Sequence, residues 1–387
     1  MQKYSVAIVG GGAAGLTCAL ALKRINKDMS VVVIDGGERL GKKLAATGNG
    51  QGNVSNLHLS PLNYHGGGAA LARAVIGGDY KLPFSLFNCL FSEDEEGRIY
   101  PSGRQASALV DSLLRELIVL GVQFINPVRV AGIKRGFELT LSDGKKLQAD
   151  RVVLACGGQA QKQFGTDGSS YALAQSFGHK LTVLYPSLVQ LRTDTSHIKP
   201  LKGIRADCLV TAYCCGRALG SARGDVIFTD YGVSGNAIFK ISSCVSGVEG
   251  CTLSLSFLPD IAEEDIARDI QKKLALGYPS GELLSGTLHN QVGRAIIKRG
   301  GSDVKNIVRT LKNFTLPVTG TLGFDYAQVT RGGIDCADIG EDMQSKLQKG
   351  LYLVGEYVDV DGDCGGYNLL WAFASGVRAA KSIAEGL

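Results

Sequence analysis

The apolar positions of the chain change their spacing repeatedly, and each change marks an element. Tyr4 to Val9 is a short, nearly unbroken apolar run. Ala13 to Arg24 carries apolar residues on every helical turn, and Val31 to Asp35 is apolar up to its terminal acid. Short continuous runs read as buried strands and the longer periodic one as a helix, so the chain opens strand–helix–strand. A Gly/Asn-rich loop runs from Gly36 to about Asn63, and Ser107 to Leu120 places Leu109, Leu113, Leu114, Leu117 and Leu120 at helical spacing. Three β-like stretches follow: Gln123 to Val130, the pair Phe137–Leu141 and Lys146–Ala149 about a turn at Asp143-Gly144, and Arg151 to Ala155, which ends in Gly157-Gly158.

After Pro186 the texture is strand-like as far as Leu258, with turn signals at Lys202-Gly203, Cys215-Gly216 and Arg223-Gly224. Ile261 to Lys312 turns helical, with a charged face of Glu263, Glu264, Asp265, Arg268 and Asp269 and a cap expected at Ser302. Beyond Pro317 come Gly-rich loops, a strand at Leu351–Val354 and a last helix from about Asn368 to Ala384. This order predicts an α/β fold in which both ends of the chain, 1–186 and 319–387, build one domain. A β-rich insertion (187–259) and a small helical domain (260–318) interrupt it.

Composition narrows the picture. Fifty-two glycines against 9 prolines point to tight turns and close backbone approaches, in a chain that is otherwise ordinary at 45% hydrophobic and 20% charged. The net charge is +5, and basic residues come in pairs such as Lys42-Lys43, Lys145-Lys146 and Lys272-Lys273 without a longer run. That speaks against a dedicated nucleic-acid surface and suits a phosphate-rich cofactor. The ten cysteines contain no CxxC and the five histidines no metal-ligand spacing, so reduced thiols, no metal and a cytoplasmic location are expected. Val6 to Leu22 imitates a signal peptide, but Gly10, Gly11, Gly12 and Gly15 cluster where an apolar helix would be weakened most. No other run reaches the ~18 apolar residues of a membrane span.

The glycines have a better explanation. Gly10-Gly11-Gly12-Ala13-Ala14-Gly15 is a GxGxxG between strand and helix. Gly10 permits the tight turn, Gly12 lets the backbone approach a pyrophosphate, and Gly15 lets helix and strand pack closely. The helix N-terminus offers free N–H groups and a favourable dipole. Asp35, at the end of the second strand, suits ribose hydroxyls and disfavours a 2′-phosphate. Far downstream, Gly350 to Val354 is an apolar strand delivering Gly355-Glu356, and Gly365-Gly366-Tyr367-Asn368 opens the last helix. In FAD domains of the glutathione-reductase type, such a strand sets a carboxylate on the flavin's ribityl chain. A helix start there favours negative charge on the reduced ring. The cofactor expected is FAD.

Ordered motifs then carry a resemblance. Gly41-Lys42-Lys43 with Thr47 to Asn56, Gly97-Arg98-Ile99-Tyr100-Pro101, Phe228 to Gly235, Ala327 to Gly333 and Gly355-Glu356 through Trp371 occur in sequence. The whole chain resembles the bacterial FAD-dependent family that includes aminoacetone oxidase-like flavoproteins and 3-dehydro-bile-acid Δ4,6-reductases. The resemblance implies a β-barrel-like insertion. It also implies that Gly48, Asn49 and Asn53 lie in a loop wrapping the flavin, and that Val130 and Ala155 flank adenine and ribose. Gly36, Lys43 and Gly157 complete the candidate cofactor contacts. Relatives usually carry Cys where this chain has Gly52, often His where it has Asp230, and Thr where Cys364 stands.

No CxxxxC pair exists, which excludes disulfide-reductase chemistry. His65-Gly66-Gly67-Gly68 imitates the first motif without a preceding strand and reads as a loop entering a helix. With no second dinucleotide turn, NAD(P)H is expected as a transient co-substrate, or else substrate and dioxygen exchange the electrons. The function expected is hydride transfer between flavin and a small organic or steroid-like substrate, as an NAD(P)H-driven reductase. An oxygen-using amine oxidase is the alternative, and a flavin-binding regulatory or RNA-associated protein the alternative of another class. His179 reads as a helix-end residue or an acid/base, Arg98 and Tyr100 as cleft or surface, and Trp371 as flavin-stacking or core. Cys364 reads as a ring contact or a filler of a threonine's volume. No residue declares itself as the catalytic acid or base.

Overall fold

The computed structural model describes residues 1–386, and these form two compact units, 1–184 together with the segment from 329 onward, and 185–328. In the first unit, strands Gln123–Ile125, Val31–Ile34, Gln2–Val9 and Lys146–Leu154 lie side by side in that order, all parallel, and Leu351–Leu353 pairs parallel with the end of Lys146–Leu154. Val31 to Ile34 are all buried, as strands covered on both faces must be. The stretches Lys146–Ala149 and Arg151–Ala155, separate in the sequence pattern, are one strand. Its first half pairs antiparallel with Glu138–Leu141 and its second half is the core partner of Leu351–Leu353. Two adjacent charged residues, Asp150 and Arg151, disguise the continuity. On this sheet the helix Ala13–Ile25 packs against the last helix, Tyr367–Glu385. Gly376 allows the crossing, since a Cβ there would stand 2.4 Å from the Ala14 carbonyl oxygen.

The second unit is a closed six-stranded barrel in the order Leu191–Thr193, Gly232–Ser234, Arg217–Phe228, Arg205–Cys214, Cys251–Ser256, Phe314–Thr321. Cys251–Ser256 alternates buried and half-buried residues along its length, the period-2 signature of a barrel wall. The helices Glu263–Ala275, Asn290–Gly300 and Val304–Lys312 share one core with it, where Ile266, Ile296 and Leu311 meet Leu253 and Phe314.

Three local expectations are corrected here. The helix Val304–Lys312 is capped by Asp303, whose carboxylate accepts from the Asn306 N–H at 3.0 Å, and not by Ser302. Arg223-Gly224 is no turn but lies inside the strand Arg217–Phe228. Gly224 marks a close approach instead, with a Cβ there 3.4 Å from the Ala237 nitrogen. That nitrogen belongs to a helix, Asn236–Val245, inside the stretch expected to be strand-like.

No helix among the described residues is long and apolar enough to cross a membrane.

Candidate functional site

The glycine turn is built by steric exclusion. Gly10 sits at φ +110°, and a Cβ on it would fall 2.3 Å from the Ala155 carbonyl oxygen; on Gly15 it would fall 2.0 Å from the Gly10 carbonyl oxygen. At Gly12 a Cβ would meet nothing within 4 Å, so the approach from that side is open. Gly12 is also the N-cap of Ala13–Ile25, and no side chain caps that end. The first-turn amides at Ala13, Ala14 and Gly15 are thus left for an anion. Asp35 is fixed beside them: its two oxygens accept from the Gly11 and Gly37 N–H groups, each at 2.7 Å. Gly36 lets the Arg129 side chain lie across the backbone, and Arg129 pairs with Asp167 at 2.9 Å. Ala155 donates its N–H to the Val9 carbonyl at 2.8 Å, and Val130 lies half-buried in the hairpin opposite Leu141.

A second cluster assembles from distant segments. Gly355, at φ +70°, brings the chain against the first helix, where a Cβ would lie 2.8 Å from that of Ala14. Its N–H donates to Ser375 Oγ at 2.9 Å, and its carbonyl accepts from Trp371 Nε1 at 3.0 Å. Trp371 is buried, so it serves the core. The Glu356 carboxylate pairs with Lys43 at 2.7 Å and accepts from the Thr330 N–H at 2.8 Å. Thr330 Oγ1 in turn accepts from the Gln159 and Ala160 N–H groups. Gly158 leaves room for this, since a Cβ there would lie 2.4 Å from Thr330 Oγ1. Gly157, at φ +73°, turns the chain beside Thr166. Both Glu356 oxygens therefore already hold protein donors, and Thr330, which lies in the Ala327 to Gly333 motif, links Glu356 to the Gln159 backbone.

A third segment is the loop around Asn49. Gly48, Asn49, Gly50 and Gly52 all have positive φ, and Asn49 at +54° accepts a conformation that glycine takes more easily. Asn53 Oδ1 is buried without a hydrogen-bond partner, a cost unless a ligand donor reaches it. The loop closes on the start of the last helix. A Cβ on Gly366 would lie 2.4 Å from the Ser55 carbonyl oxygen and 2.7 Å from Asn53 Oδ1, and Asn56 Nδ2 donates to the Gly365 carbonyl at 3.0 Å. Gly366 caps that helix without a side-chain bond. The Tyr367 and Asn368 side chains are occupied within the protein. Tyr367 donates to the His58 carbonyl at 3.1 Å, and Asn368 clasps the N–H and carbonyl of Gly362, each at 2.8 Å. At Gly52 a Cβ would press on Ala106 at 3.1 Å with φ at +76°, a tight contact in a backbone conformation that suits glycine.

Two uncapped helix starts, an open glycine face, an amide-oriented carboxylate and a buried unpartnered amide oxygen together fit FAD.

Arg98 pairs with Asp94 and Glu96 at 2.8 and 2.9 Å, and Tyr100 lies under Arg104. Asp230 pairs with Lys202 at 2.9 Å. His179 is buried with Nε2 on Ser345 Oγ at 2.8 Å, and burial lowers its pKa. Cys364 is half-buried. Burial pushes the Cys156 thiol up to about 12, which makes it inert in this setting. His65-Gly66-Gly67-Gly68 does follow a strand, the two-residue Tyr64–His65, and leads into the helix Ala69–Ile76.

Comparison with known proteins agrees with this site. The family model described as the HI0933-like protein Rossmann domain matches residues 4–382. The chain is 35% identical to a 3-dehydro-bile acid delta(4,6)-reductase of Clostridium scindens, over 98% of this chain and 99% of that one. It is 30% identical, over the full length of both, to a ribosomal RNA dihydrouridine synthase of Haemophilus influenzae. Its fold is similar to that of the 3-ketosteroid delta1-dehydrogenase of Sterolibacterium denitrificans, with a TM-score of 0.51 at 13% identity and full coverage of both chains. The chain belongs to the HI0933-like Rossmann FAD-binding family and is an FAD-dependent oxidoreductase.

Proposed function

We propose that this flavoenzyme reduces a carbon–carbon double bond conjugated to a carbonyl in a small steroid-like substrate, with NAD(P)H as a transient electron donor. The observation that carries the reading is the 35% identity, over nearly the whole of both chains, to a protein named as a bile-acid reductase. When bound, FAD supplies a hydride. The chain's own residues bind and orient it. The uncapped start of Ala13–Ile25 holds the pyrophosphate, and Asp35, aimed by two backbone amides, accepts from ribose hydroxyls. Lys43 and Glu356 hold the middle of the site as an ion pair, and the uncapped start of Tyr367–Glu385 favours negative charge at the ring. Gly48, Asn49 and Asn53 close the loop over it.

The test is anaerobic. NADPH is expected to bleach the flavin absorbance rapidly, and a 3-oxo-Δ4 steroid is expected to restore it. Bleaching by a primary amine but not by NADPH would overturn the reading in favour of an oxidase.

A second reading, reduction of uracil in ribosomal RNA, is favoured by the 30% identity to a ribosomal RNA dihydrouridine synthase. The two reductions share one chemistry, because the uracil 5,6 double bond is also conjugated to a carbonyl. The small net charge of +5 and the scattered basic pairs favour the small molecule. Tight, salt-sensitive retention of ribosomal RNA would reverse that preference.

A further inference from the structure

We infer that His65, held by Asp363, is the acid that protonates the substrate carbon next to the carbonyl; this rests on the reductase reading above. Tyr64–His65 pairs antiparallel with Asp361–Gly362, so His65 stands beside the turn that leads to Gly365, Gly366 and the start of the last helix. Its Nε2 lies 2.8 Å from Asp363 Oδ1. The other Asp363 oxygen accepts from Asn63 Nδ2 at 2.9 Å, and the Asp363 N–H donates to the Asn63 carbonyl at 2.9 Å. The carboxylate is therefore fixed on both sides and aims the ring. His65 Nδ1 has no hydrogen-bond partner among the described residues and is the nitrogen left to face a substrate. The ring is 40% exposed, so a substrate can reach it and water can recharge it.

Neighbouring groups are committed elsewhere. Tyr64 donates to the Tyr367 carbonyl at 3.1 Å, and burial raises its pKa well above the usual range. The Tyr367 hydroxyl is taken by the His58 carbonyl, and Asp359 is buried and accepts from the Gly67 N–H at 3.0 Å. The charges facing His65 are those of Asp363 and Asp361, which favour the protonated ring, and Arg331 of the strand Val329–Arg331, which opposes it. The hydrogen bond to Asp363 is the largest influence, and the pKa is raised from 6.5. The hydrogen bond and the two carboxylates favour the protonated ring, the form this reaction needs.

The step balances. A hydride reaches the β-carbon and the π pair moves toward the carbonyl as an enolate. The α-carbon then takes the Nδ1 proton, which leaves neutral imidazole with its Nε2–H still on Asp363. NAD(P)H supplies the two electrons, and water returns the proton to the ring.

The experiment compares the parent with H65Q and D363N. H65Q should bind FAD with an unchanged spectrum and a Kd within about twofold, and NADPH should still bleach it. Re-oxidation by the enone should fall about 100-fold or more, the range of general-acid loss. The parent's re-oxidation rate should fall at high pH, and that fall should be missing in H65Q. Independently of turnover, the His65 imidazole NMR titration should move to lower pH in D363N. Parent-like re-oxidation of H65Q, or loss of FAD from H65Q, overturns the inference while leaving the reductase reading in place. A parent whose NADPH-reduced flavin no enone re-oxidises overturns the reductase reading itself.

Discussion

Two of the first unit's helix starts without a side-chain cap, at Gly12 and at Gly366, are held in different ways. At Gly10 to Gly15 the restraint is backbone against backbone, where Ala155 and Gly10 carbonyl oxygens occupy the space of two absent Cβ atoms. At Asp359 to Gly366 one such contact recurs, a Cβ on Gly366 falling 2.4 Å from the Ser55 carbonyl oxygen, but most of the turn is held by side chains from several segments: Asn56, Asn63, Tyr64, His65 and Asn368. A steric requirement admits one residue type and so leaves a legible mark. A hydrogen-bond network admits many side chains at many positions and leaves none.

The largest effect should come from breaking the steric turn. G15V places side-chain carbon where the Gly10 carbonyl oxygen stands 2.0 Å away. Overpacking of about 1–3 kcal/mol or more falls on the pyrophosphate contacts themselves. FAD affinity should drop ~100-fold, and the purified protein should be colourless. Next comes D35A, which removes the acceptor of two amides; charge-assisted bonds of about 1.5–3 kcal/mol predict a ~10- to 100-fold weaker FAD Kd by fluorescence titration. The network side should yield more gently. N368A loses the clasp on Gly362, and about 1–2 kcal/mol of unfolding free energy should go with it, read by urea denaturation, while FAD is retained. Equal FAD loss in N368A and G15V would erase the distinction between the two turns.

The smallest effect is a pair of opposite pH slopes. His179 has a lowered folded pKa because burial disfavours its charged form. The unfolded chain takes up that proton first, so stability falls as pH drops below about 6.5. His65 has a raised folded pKa, so its contribution is complete below the unfolded value near 6.5 and is lost as pH rises through the folded one. Melting temperatures across pH 5 to 8 should lose the acid-side fall in H179N and the alkaline-side fall in H65Q.

Legibility followed the same physics. The strand–helix–strand opening, the acid at Asp35 and the strand ending in Gly355-Glu356 could be read because buried runs and glycine spacing are local. The continuous strand Lys146–Leu154 was not, because the charged pair Asp150-Arg151, at a point where pairing changes partner, looks like an end. The helix Asn236–Val245 was hidden among strands, although Gly235 at its N-cap and apolar Ala237, Ile238 and Ile241 on its buried face were its signals. Asp303 took the cap from Ser302 because only its side chain stands at the right offset from Asn306. At the site, the Thr330 N–H donates to Glu356 and its hydroxyl oxygen accepts from the Gln159 N–H, single hydrogen bonds that no spacing announces. His65 looked like a spurious glycine motif because its partner lies 298 positions away.

The late arrival of Leu351–Leu353 has a consequence for how the protein is made. Val152, Val153 and Leu154 pair with that strand, and all three are fully buried in the finished sheet. On the ribosome the whole barrel must be synthesised before their partner emerges. Throughout that interval the nascent chain carries an apolar strand edge, the kind that pairs with neighbours and aggregates. Yield of this protein should therefore depend on chaperone supply more than its final stability suggests. A circular permutant that places the segment from 329 onward ahead of Met1 would shorten the exposure.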